Sequence, residues 1–550
     1  MARGIRAEQA MNLQFQLPVL SGDVHPAFAD AKACAEWVEA LPLTNPATAQ
    51  AQLRAQINLL PSAGFKPAVL FEILEQLRTP LLFVQTEAAR KFTFRPLPLA
   101  DFEAGAYAAA LDLWRAFGLC WQVCVQSALD ADSGQKGFAA TVCQRALDVQ
   151  ARLLLDTAHA GSELPGADWL LLHKLYRAAE QIGVVSEKVK DAQLRDIGAT
   201  NCSATYARPV LLLLGAPGDW GARPSQLVAL WMERLAVKIV IGAGPPANPG
   251  KPPVLVDLAA ARGGFRPDTP AGAAGAEVRY LDISDLSVSL KNRINLLRRG
   301  QSPASLGLGE DSTMPAAEQL LIALHKHWGD GRAGRGQARR AASGRALVAC
   351  GFDAMHYYIS GKPFKQPGQP TELSSRQRQE IATFGRVSTR DEDQHSLIHG
   401  FALEDWAVHD ESVAGLRLVR AAGANGARLA AGQLLAIRPS GSRSFIMGVV
   451  RWAQVQGNGD LMIGVKALPG APTAVAVRAT GLNAAAEKYQ PALLLPAVQA
   501  LQSTACVLLP AGCFKADRVL DMHAEPPAVI KLLSLEERGA DFERCAFGVT

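Results

Sequence analysis

The sequence has no long hydrophobic run, no paired cysteine motif and little excess charge of either sign. Its longest apolar stretches, such as Val210–Ala216, fall far short of the roughly 20 residues that a helix needs to cross a bilayer. The nine cysteines are an odd number and none forms a CxxC pair, which disfavours a disulfide framework or a zinc module. The 56 Lys and Arg exceed the 51 Asp and Glu by five, too few for a dedicated nucleic-acid binder.

The amino terminus also lacks a hydrophobic run followed by a small-residue cleavage site, so we expect no secretory signal. Scattered, unpaired cysteines fit a reducing compartment. A chain of 550 residues with 49% hydrophobic residues is long enough for roughly three domains, each with its own core. We therefore expect a cytoplasmic, multidomain protein without a membrane span.

Catalytic and metal-binding motifs are missing as well. Gly242-Ala243-Gly244 does not continue as GxGxxG, and Gly250-Lys251 is followed by prolines where a phosphate-binding loop needs Ser or Thr and a helix start. His325 and His327 lie two residues apart, so a helix would point them in different directions. The sequence contains no GxSxG elbow. We expect no catalytic residues, no metal and no enzymatic activity.

Apolar spacing divides the chain. Residues 1–235 carry stripes of helical period, one of which ends before Pro80, and predict an all-α domain. Residues 236–328 alternate short β-branched runs with helical patterns and predict a mixed α/β region, or a degenerate barrel. Residues 329–375 begin with a Gly/Arg-rich stretch without apolar period and are interpreted as a basic loop and linker.

The remainder favours β-structure. Short strands at hairpin-like spacing, with a Gly457-Asn458-Gly459-Asp460 turn, are typical of a small antiparallel barrel. The predicted strands are Ser444–Arg451, Leu461–Val465, Ala474–Arg478, Ala492–Leu495, Ala505–Leu509 and Val529–Leu532. They fall in a barrel segment, 376–475, and a β-rich extension, 476–550.

Two motifs stand in a fixed order in the barrel segment. Arg386 and Arg390 form an RxxxR pattern, and 20 residues after Arg390 begins a DxSxxG pattern at Asp410. RxxxR alone is weakly specific, because Arg335 and Arg339 satisfy it too. The acidic motif is sharper, and only the Arg386/Arg390 pair stands at a suitable distance before it.

This order, followed by strands that carry Gly448 and Gly464, resembles the PilZ domain, the bacterial receptor module for cyclic di-GMP. The resemblance covers about residues 376–475, under a fifth of the chain. Together with the helical and β patterns on either side, it implies a multidomain α+β protein in which an all-α N-terminal region precedes an antiparallel six-stranded PilZ-type β-barrel with a β extension. It also implies a ligand site for cyclic di-GMP that consists of Arg386, Arg390, Asp410, Ser412 and Gly415.

The chemistry of these residues suits such a ligand, a dianion with two purine faces. A guanidinium binds phosphate oxygens or a guanine O6/N7 edge and stacks on a base. Asp410 could accept hydrogen bonds from guanine N1–H and the amino group, Ser412 offers a hydroxyl to a phosphate or the neighbouring backbone, and Gly415 permits a tight turn or a close approach of the ligand. Taken singly, Asp410 and Ser412 could equally form an Asx-type turn.

We therefore expect a cytoplasmic effector that binds cyclic di-GMP, needs no other cofactor and engages a protein partner through its helical region. Ligand binding would fix the segment that carries the two arginines and reorient the barrel against its neighbours. The alternatives are a nucleic-acid-binding protein that uses the arginine-rich stretch Gly329–Gly344, or an adaptor whose barrel binds no ligand. The stretch Gly329–Gly344 contains no aromatic residue on which a base could stack, which disfavours nucleic acid as a partner.

Overall fold

In the computed structural model, helices dominate the first part of the chain and strands the last. The structure describes residues 13–130, 136–194, 198–214, 221–247, 253–267, 275–330, 340–367, 401–480 and 487–550. The chain forms two units. The first, the helical unit, comprises residues 1–95 and 99–336, and the second, the barrel unit, comprises residues 96–98 and 337–550.

Most of the helical unit consists of helices that pack around one apolar core. Before residue 236 they are α1 (Ala31–Glu39), α2 (Pro46–Ile57), α3 (Pro67–Phe92), α4 (Asp101–Asp130), α5 (Lys136–His159), α6 (Gly166–Ile182), α7 (Cys202–Leu214) and α8 (Ala222–Leu235). Helix α1 begins at an Asp30 cap, whose carboxylate accepts a hydrogen bond from the Ala33 N–H. The predicted helical N-terminal region is therefore confirmed.

Helix α3 does not end before Pro80, as its sequence suggested, but continues for twelve further residues to Phe92. A proline inside a helix removes one backbone hydrogen bond and costs about 3 kcal/mol. Leu81, Val84 and Phe92 lie beyond it on the same buried stripe and bury their side chains almost completely. This burial offsets the cost of the proline.

The short β-branched runs between residues 236 and 300 are strands of the helical unit. β3 (Val240–Gly242), β4 (Val254–Asp257) and β5 (Val278–Asp282) form an antiparallel sheet in the order β3-β5-β4. They follow a two-stranded ribbon of β1 (Val189–Lys190) and β2 (Ala199–Thr200) and precede α9 (Ser284–Arg298) and α10 (Ala316–His325). Within the described residues, the three strands form a small sheet that does not close into a barrel.

The barrel unit begins within the segment interpreted as a loop and linker. β6 (Arg340–Ala341), β7 (Arg345–Cys350) and α11 (Phe352–Ser360) lie in residues 329–375, so that segment is not a linker throughout. After them come β8 (Leu403–Ser412), β9 (Gly415–Arg420), β10 (Leu434–Pro439), β11 (Ile446–Val455) and β12 (Leu461–Ala467). The strand order is β6-β8-β7-β10-β11-β12-β9. Because β9 also pairs with β8, strands β7 to β12 form a ring of six, which we call the first barrel.

A second ring follows directly. β13 (Thr473–Ala479), β14 (Gln490–Leu495), β15 (Cys506–Pro510), β16 (Val519–His523), β17 (Ala528–Arg538) and β18 (Phe542–Val549) form a closed antiparallel barrel. This second barrel occupies the segment that the sequence analysis treats as a β-rich extension. The expected α+β class, with a C-terminal six-stranded antiparallel barrel, is confirmed.

The two barrels share an apolar core with α11. Met355 of α11 and Met447 of β11 belong to one buried cluster with Leu493, Leu508 and Phe542 of the second barrel. Polar contacts add to it: an Arg451 guanidinium nitrogen lies 2.6 Å from a Glu537 carboxylate oxygen. The first barrel is therefore packed against the second through both apolar and charged contacts.

Candidate ligand-binding site

The DxSxxG motif forms the hairpin between β8 and β9. Ser412 and Gly415 are register partners, so Val413 and Ala414 make a two-residue turn. The Ser412 hydroxyl donates a hydrogen bond of 3.3 Å to the Gly415 carbonyl oxygen, which holds the turn closed. The motif thus fixes the local geometry of the strand on which Asp410 lies.

The requirement for glycine at position 415 comes from a neighbouring strand. Gly415 does not adopt a positive φ. A Cβ atom at this position would overlap the backbone carbonyl oxygen of Val465 on β12. The structure thus gives a steric reason for glycine at position 415 that does not involve a ligand, because a side chain there would push β9 and β12 apart.

We expect Gly415→Ala to destabilise the barrel unit by about 1–3 kcal/mol, because the added methyl overpacks against backbone that cannot move aside. Gly344→Ala is the matched control, since a Cβ at Gly344 meets no atom within 4 Å. Urea unfolding of both variants checks this expectation. Equal stability of the two variants would contradict the steric role of Gly415.

Asp410 is 8% exposed and faces Arg417 across the hairpin. Its Oδ2 lies 3.1 Å from Nε of Arg417 and 3.5 Å from Nδ1 of His409. The Arg417 Nε–H has no partner in hydrogen-bond geometry among the described residues, so the pair is held by charge rather than by an aligned bond. The Asp410 carboxylate thus lies beside a cation on the facing strand.

An arginine and a tryptophan extend the site beyond the motif. Arg417 is opposite Gly464 on β12, and Gly464 is opposite Trp452 on β11. The Arg417 guanidinium carbon lies 5.9 Å from the centre of a Trp452 ring, within range of a cation–π contact. A Cβ at Gly464 would collide with the indole, so glycine leaves the space in which this ring lies. The Asp410 carboxylate, the Arg417 guanidinium and the Trp452 indole therefore form one row across β8, β9, β12 and β11.

Arg417 and Trp452 were not predicted as ligand residues from the sequence, although Arg417 could have been. Ser412 pairs with Gly415 across a two-residue turn. The residue two positions before Ser412 therefore faces the residue two positions after Gly415, which places Arg417 opposite Asp410. Trp452 required the β9-β12-β11 strand order. In addition, a register shift lies between Val450 and Trp452, so counting residues along β11 and β12 does not identify Gly464 as the partner of Trp452.

The two arginines of the RxxxR motif lie outside the described residues. Arg386 and Arg390 fall between residues 368 and 400, and the second RxxxR match, Arg335 and Arg339, falls between residues 331 and 339. The structure therefore brings together Asp410, Ser412 and Gly415, and the contribution of Arg386 and Arg390 remains an expectation from sequence.

The parts of the chain that the structure describes contain no group of three or more His, Cys, Asp or Glu side chains that could hold a metal ion. Among the same residues, no helix combines the length and the apolar character needed to cross a membrane.

Comparison with known proteins gives matches in both units. Residues 32–246 match a family model described as the N-terminal domain of the cyclic-di-GMP receptor FimW, and residues 475–550 match the FimW C-terminal beta-barrel domain. A protein of Pseudomonas aeruginosa (strain PAO1) named cyclic-di-GMP receptor FimW is 23% identical over 543 residues, which cover 89% of this chain and 86% of the relative. The chain is thus similar, in its helical region and in its second barrel, to a cyclic di-GMP receptor.

Proposed function

We propose that this protein is a cytoplasmic cyclic di-GMP receptor whose first barrel is a PilZ-type ligand-binding module. The observation that carries the proposal is the placement of the complete DxSxxG motif on the hairpin of a six-stranded ring, with Asp410 in line with Arg417 and Trp452. Similarity to a protein named as a cyclic di-GMP receptor supports the choice of ligand. The protein acts by binding, without catalysis.

Each residue has a distinct role in the proposed complex. Asp410 accepts hydrogen bonds from guanine N1–H and the amino group, which are donors aligned better than the Arg417 Nε–H. Arg386 and Arg390 bind the phosphates or the guanine O6/N7 edge. Arg417, displaced from Asp410, supplies a further cation, and the half-buried Trp452 supplies a surface on which a base can stack.

We propose that the second barrel receives the signal. Strand β11 carries Trp452 next to Arg451, and the Arg451 guanidinium pairs with Glu537 of the second barrel. Met447, on the same strand, lies in the apolar core that the two barrels share. We propose that ligand binding shifts β11 relative to the second barrel, and that the helical region carries the response to a protein partner.

Asp410→Ala tests the base-reading role. The change leaves two ligand donors unpaired, so affinity for cyclic di-GMP should fall by about 1–3 kcal/mol. Preference over cyclic di-AMP, which lacks the N1–H donor, should fall with it. Asp410→Asn should be milder because its amide carbonyl still accepts a hydrogen bond. A competition titration of the two dinucleotides against wild type and both variants measures this.

Asp405→Ala is the matched control on the same strand. Asp405 pairs with Arg345 in an exposed ion pair, at a position with no part in the proposed site. This variant should keep both affinity and selectivity. If Asp410→Ala lowers the melting temperature and affects the two dinucleotides equally, Asp410 shapes a turn and does not recognise the base.

A further inference from the structure

A cavity of about 210 Å³ lies among α3, α4, α5, α7 and α8 of the helical unit. At about 30 Å³ per water it could hold roughly seven waters, or one molecule about the size of an amino acid. Its apolar lining comes from all but one of these helices and consists of Leu82, Ala89, Leu155, Leu212 and Ala229. The polar lining carries charges of both signs.

Arg152 and Arg208 supply the positive charge. Both bind the same buried carboxylate: Asp148 lies 2.8 Å from Nε of Arg152 and 2.6 Å from Nη2 of Arg208. A guanidinium carries five N–H donors, so each arginine keeps donors beyond those that Asp148 accepts. Arg208 is itself only 8% exposed, and both side chains line the cavity. These donors are suited to a carboxylate.

Asp156 and Glu233 line the same cavity. Burial raises the pKa of Asp156 to about 6, against the lowering effects of Arg152 and of the Trp114 indole, which donates a 2.8 Å hydrogen bond to Oδ2. Burial also raises the pKa of Glu233, although Arg208 and Arg152 act in the opposite direction. Arg152 and Arg208 bind Asp148. A cation delivered by a ligand would therefore further stabilise the charged forms of Asp156 and Glu233.

We propose that this cavity binds a small zwitterion, with its carboxylate on Arg152 and Arg208 and its ammonium group on Asp156 and Glu233. A simple anion would meet two carboxylates, and a simple cation would meet two arginines. A molecule that carries both charges can pair with the two arginines and with the two carboxylates. His159, which also lines the cavity, adds no charge at neutral pH because burial lowers its pKa to about 4. The site is independent of the proposed dinucleotide site.

Three matched probes test the charge requirement on the full-length protein: 4-aminobutyrate, butyrate and butylamine. The indole N–H of Trp114 is a local reporter, because it donates to Asp156 at the cavity wall. Its nuclear magnetic resonance signal can be assigned with a Trp114→Phe variant. We expect 4-aminobutyrate to shift this signal saturably, and each single-charge analogue to bind at least roughly tenfold more weakly, since it loses its charge-assisted contacts.

Three variants test whether the probe binds in the cavity. Ala229→Phe should fill the cavity and abolish the shift, whereas Ala47→Phe, on the exposed face of α2, should leave it unchanged. Glu233→Gln preserves shape, so it should weaken 4-aminobutyrate binding at least several-fold and spare butyrate, even if the bulkier variant fails to fold. Butyrate binding as tight as that of 4-aminobutyrate would overturn the proposal. So would an indole signal that no probe shifts, because the cavity would then hold water alone.

Discussion

Alanine at Arg386 or at Arg390 is expected to weaken cyclic di-GMP binding roughly tenfold or more. Each change removes a charge-assisted contact to phosphate or guanine, worth about 1.5–3 kcal/mol. Each arginine is expected to make its own contact to the ligand, so the two losses multiply and the double variant should lose about a hundredfold or more. Isothermal titration calorimetry with the full chain measures each loss directly.

The second RxxxR match provides the control for these variants. Arg335→Ala should leave affinity unchanged, since Arg335 stands at the wrong distance before Asp410. All three variants should keep the melting temperature of the wild type if the arginines serve the ligand rather than the fold. Wild-type affinity in both Arg386→Ala and Arg390→Ala would remove them from the site.

Asp148→Ala is expected to produce the largest loss of folding stability, about 3–5 kcal/mol, because it removes the carboxylate that Arg152 and the buried Arg208 both bind. Three guanidinium groups surround Asp148: Nη2 of Arg78 lies 3.8 Å away, and Arg152 and Arg208 lie closer. Burial alone would raise the pKa of Asp148, but the three arginines together bring it well below its ordinary range. The charged form is therefore the stable one in the folded protein.

Urea unfolding of Asp148→Ala beside Asp112→Ala checks this expectation. Asp112 also pairs with an arginine, Arg54, but at 3.4 Å and with its side chain 57% exposed. Such a surface pair contributes about 0–1 kcal/mol. If Asp148→Ala loses no more folding stability than Asp112→Ala, the guanidinium groups around Asp148 find other partners and the expectation is wrong.

Local patterns predicted much of the fold, and tertiary packing accounts for what they missed. The runs at Val254–Asp257 and Cys506–Pro510 form strands because β-branched and aliphatic side chains fit a buried sheet. Pro80 was misjudged because local propensity alone argues for a helix end. The apolar stripe of α3 passes through it and is buried on both sides, which only the assembled helices reveal.

The candidate site was likewise predicted in part from the sequence, and the rest depends on tertiary packing. Spacing alone grouped Asp410, Ser412 and Gly415 as one motif, and the two-residue hairpin on which they lie became clear only from the structure. The reason for Gly415 could not be read from spacing, since Val465 lies 50 residues away in sequence and approaches only after β9 pairs with β12. Trp452 reaches the site through that same pairing.

Calorimetric titration of the purified full-length protein with cyclic di-GMP, followed by the same titration with cyclic di-AMP, tests the proposed function most directly. We expect saturable binding of cyclic di-GMP and at least roughly tenfold weaker binding of cyclic di-AMP, since Asp410 finds no N1–H donor on adenine. Asp405→Ala should reproduce the wild-type titration, and the Arg386/Arg390 double variant should show a loss of about a hundredfold or more. Absence of binding in the wild type, or equal affinity for the two dinucleotides, would contradict the proposal.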